Sequence, residues 1–183
     1  DLDDALNRDL SRLADASLRR HRRIVTAVGP GHRVTVDGRD CVAFCSNDYL
    51  GLAADPRLAD ALAAVAARRG CGAGAGGTRN ISGNTWHHRE LERELADLHH
   101  KESALLFSSG YVSNWAALST LGSKLPGAVI LSDALNHASM IEGIRHSRAR
   151  KVIWNHNDPE DLDRKLAALP ANAPKIVAFE SVY

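Results

Sequence analysis

The chain has 183 residues, 44% of them hydrophobic and 25% charged, which is ordinary globular composition with length for one sizeable core or a core plus an arm. Its net charge of +1 gives no electrostatic reason to bind nucleic acid or an acidic membrane. No apolar run approaches the roughly 18 residues of a membrane span, and the polar start DLDDALNRDL is not expected to be a signal peptide.

Leu2, Leu6, Leu10 and Leu13 recur at helical spacing, so the first twenty or so residues read as an amphipathic helix ending in the basic cluster LRRHRR, Leu18 to Arg23. HRVTVDGRDCVAF reads as a hairpin turning at Asp37-Gly38. Asp55-Pro56 starts a helix, with a capping carboxylate and a first-turn proline. That helix is expected to run to about Arg69 and stop at Gly70. NTWHHRELERELADLHH carries Leu91, Leu95 and Leu98 on one helical face. Strands and helices then alternate: SALLFSS as strand, YVSNWAALSTLG as helix, AVILSD as strand, HASMIEGIRHS as helix, and KVIWN as strand. DPEDLDRKLAAL follows as a helix capped by Asp158 with Pro159 behind it, and KIVAFESVY reads as a last strand. The alternation implies an α/β fold with a mainly parallel sheet and helices on both faces, preceded by an amino-terminal helix and hairpin. In such sheets ligands bind beyond the carboxyl ends of the strands. The chain opens without Met and closes on an apolar strand pattern, so the fold is expected to continue past Tyr183.

Six of the fourteen glycines fall between Gly70 and Gly83, in GCGAGAGGTRNISG. Gly72, Gly74 and Gly77 match G-x-G-x-x-G, but they follow a helical pattern where a dinucleotide site needs a strand. There is no G-K-[ST], which excludes a P-loop. TRNISG mixes a cation, two hydroxyls, an amide and an Ile, a poor linker but a good lining for a carboxylate pocket beside an apolar wall. Cys41, Cys45 and Cys71 are odd in number and lack zinc spacing, so they read as reduced thiols of a cytoplasmic protein. His87, His88, His99 and His100 lie on one helix pattern without H-E-x-x-H, and are read as solvated or partner-facing rather than as metal ligands.

CSNDYLGL (Cys45 to Leu52), GAGAGGTRNISG, LFSSGY (Leu106 to Tyr111), SDALNHASMIEGIR (Ser132 to Arg145), HND (His156 to Asp158) and AFESVY occur in one order. Together they resemble the α-oxoamine synthases, pyridoxal-phosphate (PLP) enzymes of the aspartate-aminotransferase fold type. Within that family TRNISG resembles the 5-aminolevulinate synthases. Aminooxononanoate synthases and aminoketobutyrate ligases share NDYLGL and HAS but differ after the glycines. The resemblance spans about Asn47 to Tyr183. It implies an arm over residues 1–46 and an incomplete PLP-binding large domain over residues 47–183.

The activity implied is condensation of glycine with succinyl-CoA to 5-aminolevulinate, CoA and carbon dioxide, for heme or a related pathway. The implied partners are these substrates and a second subunit in a homodimer, with no nucleic acid and no membrane. The backbone N–H groups of Gly110 and Tyr111, at a helix start, can hold the cofactor phosphate. His137 matches the histidine that stacks on the pyridine ring, and Glu180 a glutamate close to the cofactor. Thr78 is the candidate for gripping the succinyl carboxylate, with Asn80 and Ile81 shaping the acyl pocket. Asn47 matches a substrate contact near the cofactor, while Ser132 and Lys151 match contacts to succinyl-CoA. An amino-terminal arginine also serves the acyl carboxylate in this family. Arg19, Arg20, Arg22 and Arg23 are all candidates, and Arg22 is marginally favoured. None of Lys101, Lys124, Lys151, Lys165 and Lys175 stands in the context of the family's cofactor lysine. The sequence therefore reads as the amino-terminal part of a synthase, a fragment or one piece of a split enzyme. The alternatives are a relative with another acyl-CoA or amino acid, and a non-catalytic PLP- or partner-binding subunit.

Overall fold

The computed structural model describes residues 1–29, 32–68 and 74–183, and for Ala27 and Val28 the backbone alone. Two compact units result, Asp1–Gly74 and Ala75–Tyr183. Among the described residues no helix is long and apolar enough to cross a membrane.

In the first unit, helix α1 (Leu2–Asp15) is shorter than its leucine spacing suggests. Ser17 adopts φ 56°, and the amides of Ser17 and Leu18 close back on the carbonyls of Ala14 and Leu13 at 2.9 and 2.8 Å. This paired closure terminates the helix. Leu18 to Arg23 thus lie beyond the helix instead of forming its end. The next three strands, β1 (Val25–Val28), β2 (Arg33–Val36) and β3 (Arg39–Val42), form an antiparallel sheet in that order. The β2–β3 hairpin turns at Asp37-Gly38 as expected. Both residues have positive φ (50° and 77°), the turn whose twist matches paired strands. Strand β1 is an addition to the expected hairpin, bulged between Val25 and Ala27. Helix α2 (Pro56–Ala66) begins under the Asp55 carboxylate, which accepts the Arg57 amide at 2.9 Å. It ends before Arg69; the expected stop at Gly70 and the thiol of Cys71 lie outside the described residues. Cys41 and Cys45 are exposed free thiols.

The second unit opens with one π-helical turn, Arg79–Gly83, followed by α3 (Trp86–Leu98) and α4 (Gly110–Lys124). The expected strand over SALLFSS is not formed. The Leu106 amide donates to the Glu92 carboxylate at 2.7 Å, and its carbonyl accepts from Arg79 at 2.9 Å. Side chains from α3 and the π turn thus take up main-chain groups that a strand would place in a ladder. Strands β4 (Val129–Asp133), β5 (Arg150–Trp154) and β6 (Lys175–Ala178) form a parallel sheet in the order β5-β4-β6, with β4 buried throughout. The last strand stops at Ala178, so Phe179 to Tyr183 lie outside it. Helix α5 (Ala138–Ser147) joins β4 to β5, and α6 (Pro159–Ala167) joins β5 to β6.

Side chains of β4 alternate between two cores. Val129 and Leu131 pack with Trp154, Leu162, Leu166 and Leu169, while Ile130 packs with Met140, Ile144 and Leu118. Helices therefore cover both faces, and each fully buried aliphatic side chain contributes about 1.5–3 kcal/mol. Helices α4 and α5 meet almost backbone to backbone at Gly143, where a Cβ would sit 2.9 Å from the Trp115 carbonyl oxygen.

Candidate active site

Because β5 lies on one side of β4 and β6 on the other, the connections diverge at the carboxyl end of β4. That is where open α/β sheets bind ligands. Asn136 bridges this crevice. Its amide donates to Ser132 Oγ at 2.9 Å and to the Ala178 carbonyl at 2.8 Å, and its Oδ1 accepts from the Tyr183 hydroxyl at 3.1 Å. The end of β4 is thus tied to the end of β6. His137 follows directly and caps α5. Its backbone N–H donates to Glu180 Oε1 at 2.6 Å, so two residues 43 apart in sequence meet at the crevice.

Helix α4 brings the third component. Ser109 caps it by accepting the Val112 amide at 3.2 Å. The amides of Gly110 and Tyr111, earlier in that turn, have no intrahelical acceptor and carry the positive end of the helix dipole. Beyond its chain neighbours and its own helix backbone, nothing lies within 4 Å of a Cβ built on Gly110, so that side of the helix start is open. The Tyr111 ring stands edge-on to the His137 ring, 6.2 Å between centroids. Gly110, Tyr111, His137 and Glu180 therefore converge, and the set fits a phosphorylated flat heterocycle: free amides for the phosphate, an imidazole for the ring.

A buried pair beside this crevice escaped sequence reasoning. Asp133, its side chain 0% exposed, has Oδ1 2.9 Å from His156 Nδ1. It also accepts the Leu135 amide at 2.8 Å and the Asn157 amide at 3.3 Å. Burial pushes its pKa up, but the Leu135 amide, the His156 ring and the Asn157 amide together outweigh that and hold it below the ordinary carboxylate value. The signal available was HND, quoted for resemblance alone, standing after the strand next to SD.

The TRNISG turn divides its labour. The Thr78 carbonyl accepts the amides of Ile81, Ser82 and Gly83 at 3.0, 3.1 and 2.8 Å, while its hydroxyl caps nothing. Gly83 permits the tight closure, because a Cβ there would overlap the Gly77 carbonyl. The Arg79 guanidinium holds the turn in place through Asn84 Oδ1 at 2.9 Å, the Leu106 carbonyl at 2.9 Å and Glu92 at 2.8 Å. Thr78, Asn80 and the 86% exposed Ile81 are left on the surface. Arg79 is thus committed to structure, and the polar side chains of the turn left for a ligand are those of Thr78, Asn80 and Ser82.

The Arg79 side chain first, then the Leu106 amide, lowers the Glu92 pKa from 4.5 to about 2. A lowered carboxylate pKa means stability that is complete above about pH 4.5 and lost as pH falls toward about 2. Glu92→Gln should therefore be less stable than the native protein near neutral pH, with the difference closing as pH falls through this window. Urea midpoints measured along the pH series check this; a difference independent of pH would refute it.

Ser132 is buried at the end of β4, its hydroxyl donating to the Asp133 carbonyl at 3.1 Å. Lys151 is exposed and pairs with Ile130 toward the amino end of the sheet, away from the crevice. Arg22 and Asn47 are exposed residues of the first unit. Lys165 Nζ is bound by Asp161 at 2.6 Å, and Lys175 Nζ by the Pro170 carbonyl at 2.8 Å. His88 Nδ1 accepts the Thr85 amide at 3.2 Å at the start of α3. His100, at φ 53°, closes the end of α3, with its amide on Asp97 and the Lys101 amide on Ala96 at 3.1 and 2.9 Å. Among the described residues no three His, Cys, Asp or Glu side chains cluster as metal ligands.

Comparison with known proteins bears on the family and the fold. A 5-aminolevulinate synthase of Rhizobium meliloti is 59% identical over 169 residues, covering 92% of this chain and 41% of that protein. A mitochondrial 5-aminolevulinate synthase of Neurospora crassa is 58% identical over 152 residues, covering 83% of this chain and 24% of that protein. The chain thus spans less than half the length of these curated relatives. The serine palmitoyltransferase of S. paucimobilis, solved with a bound PLP–myriocin aldimine, superposes with a TM-score of 0.79 at 30% identity, over 95% of this chain and 44% of that one. The profile of aminotransferase class I and II matches residues 39–183. On that match, with an α/β fold shared with PLP-dependent transferases, the chain belongs to the aminotransferase class I and II family.

Proposed function

We propose that the complete protein carrying this segment is a PLP-dependent acyltransferase that condenses glycine with succinyl-CoA, releasing 5-aminolevulinate, CoA and carbon dioxide. The observation that carries the reading is the convergence of the Gly110 and Tyr111 amides, His137 and Glu180 at the sheet's switch point, in a chain this similar to 5-aminolevulinate synthases. When bound, PLP supplies the electron sink for the carbanion generated from glycine.

The chain's own residues then divide the remaining work. Gly110 and Tyr111 hold the phosphate through their amides. His137 buries one face of the pyridine ring, with Glu180 fixing its backbone. Thr78 donates to the succinyl carboxylate, and Asn80 and Ile81 bound the acyl chain. Ser132, at the crevice, and Lys151, at the other end of the sheet, serve different parts of succinyl-CoA. The protein works as a homodimer in the cytoplasm, and the exposed free thiols of Cys41 and Cys45 suit a reducing compartment. Its product feeds heme synthesis or another 5-aminolevulinate-consuming route.

An acyl-CoA panel with the complete protein tests this reading. Product should form only with PLP present, and kcat/KM for succinyl-CoA should exceed that for an uncharged acyl-CoA of similar length. Preference for a longer acyl chain or for another amino acid would overturn it.

A further inference from the structure

The His137 ring is held by a hydrogen-bond chain whose direction can be read from its donors. The Ser139 amide donates to His137 Nδ1 at 3.2 Å, and an amide N–H has no other role open to it. At that length the amide favours a lone pair on Nδ1 without enforcing it, and the shorter hydroxyl contact decides. Ser139 Oγ lies 2.6 Å from the same nitrogen and receives the Asn114 side-chain amide at 3.1 Å. Having accepted from Asn114, the hydroxyl is free to donate, and Nδ1 is the acceptor beside it. The protons run from Asn114 to Ser139 to Nδ1, which leaves the ring's own proton on Nε2.

The chain is anchored on both sides. Ser139 is completely buried. Asn114 is carried by α4, which is locked against α5 where Gly143 meets the backbone of Asn114 and Trp115. The His137 backbone is tied separately to Glu180. Two points thus fix the residue: Glu180 its main chain, Ser139 its ring.

We propose that Ser139, backed by Asn114, is a positioning residue that holds His137 in a single ring orientation with the proton on Nε2. Only the identity of the ring's ligand rests on the function proposed above; the tautomer is a property of the protein without cofactor. A ring so fixed presents a set face to a flat ligand without rotating on its own axis.

The test uses the complete protein without cofactor, labelled with nitrogen-15 in histidine. The native protein should show His137 as one form, with Nε2 protonated and Nδ1 bare. Ser139→Ala removes the hydroxyl and should give a mixture of tautomers. Asn114→Asp keeps the shape but turns the Ser139 proton toward the new carboxylate, and should give the same mixture from an exposed position. Ser139→Thr restores the hydroxyl and should restore the single form. A native ring protonated on Nδ1, or a single unchanged tautomer in both Ser139→Ala and Asn114→Asp, would overturn the proposal. PLP titration of the same samples reports separately on the functional reading: an unaltered tautomer pattern with no PLP binding would fault that reading alone.

Discussion

Asp133→Ala is expected to lower stability by about 2–5 kcal/mol, because it removes a buried acceptor of three hydrogen bonds and each donor left unpaired in the interior costs about 1–3 kcal/mol. The carboxylate accepts from Leu135, His156 and Asn157 together, and alanine strands two backbone amides and an imidazole. Asp133→Asn keeps the shape and one acceptor, so it should recover part of the loss. The pH dependence has a definite sign. The pKa of Asp133 is lowered from 3.8 in the fold, so its contribution is complete above that value and disappears as pH falls through the lower folded value. Urea unfolding should show a lower midpoint at an unchanged slope near neutral pH, and the gap between native and Asp133→Ala should narrow in acid. A loss under about 1 kcal/mol would mean that the pair is dispensable.

Thr78→Val should leave the fold intact and weaken use of succinyl-CoA by roughly ten- to a hundredfold. A hydrogen bond to a charged group is worth about 1.5–3 kcal/mol. The substitution is clean because Thr78 supports its turn through its carbonyl, which valine retains, while its hydroxyl has no capping role. An uncharged acyl-CoA of similar length should lose far less. Equal losses in kcat/KM for the two thioesters would remove Thr78 from carboxylate recognition.

Local rules explain what the sequence made legible. Asp37-Gly38, Asp55-Pro56 and Asp158-Pro159 each carry their own turn or cap chemistry, and each element stands where that chemistry puts it. The misses have longer reach. Residues 103–109 read as a strand because the apolar run is real, yet Glu92 and Arg79 claim the Leu106 main chain from 14 and 27 residues away. Helix α1 stops early because Ser17 takes a left-handed conformation that serine does not announce. Strand β1 is four residues long and hidden behind a basic cluster. At the site, His137 and Glu180 are visible separately through family resemblance, but their contact and the Asp133–His156 pair arise only when β4, β5 and β6 are brought side by side, and the Ser139 chain only when α4 packs on α5.

The central claim is a condensation that discards the carboxyl carbon of glycine. The direct measurement supplies the complete, PLP-loaded protein with succinyl-CoA and glycine labelled at its carboxyl carbon or at its α-carbon. The carboxyl label should leave entirely as carbon dioxide, the α-carbon label should stay in 5-aminolevulinate, and CoA should appear in equal amount. Retention of the carboxyl label in the product, or CoA release with no labelled 5-aminolevulinate, would contradict it.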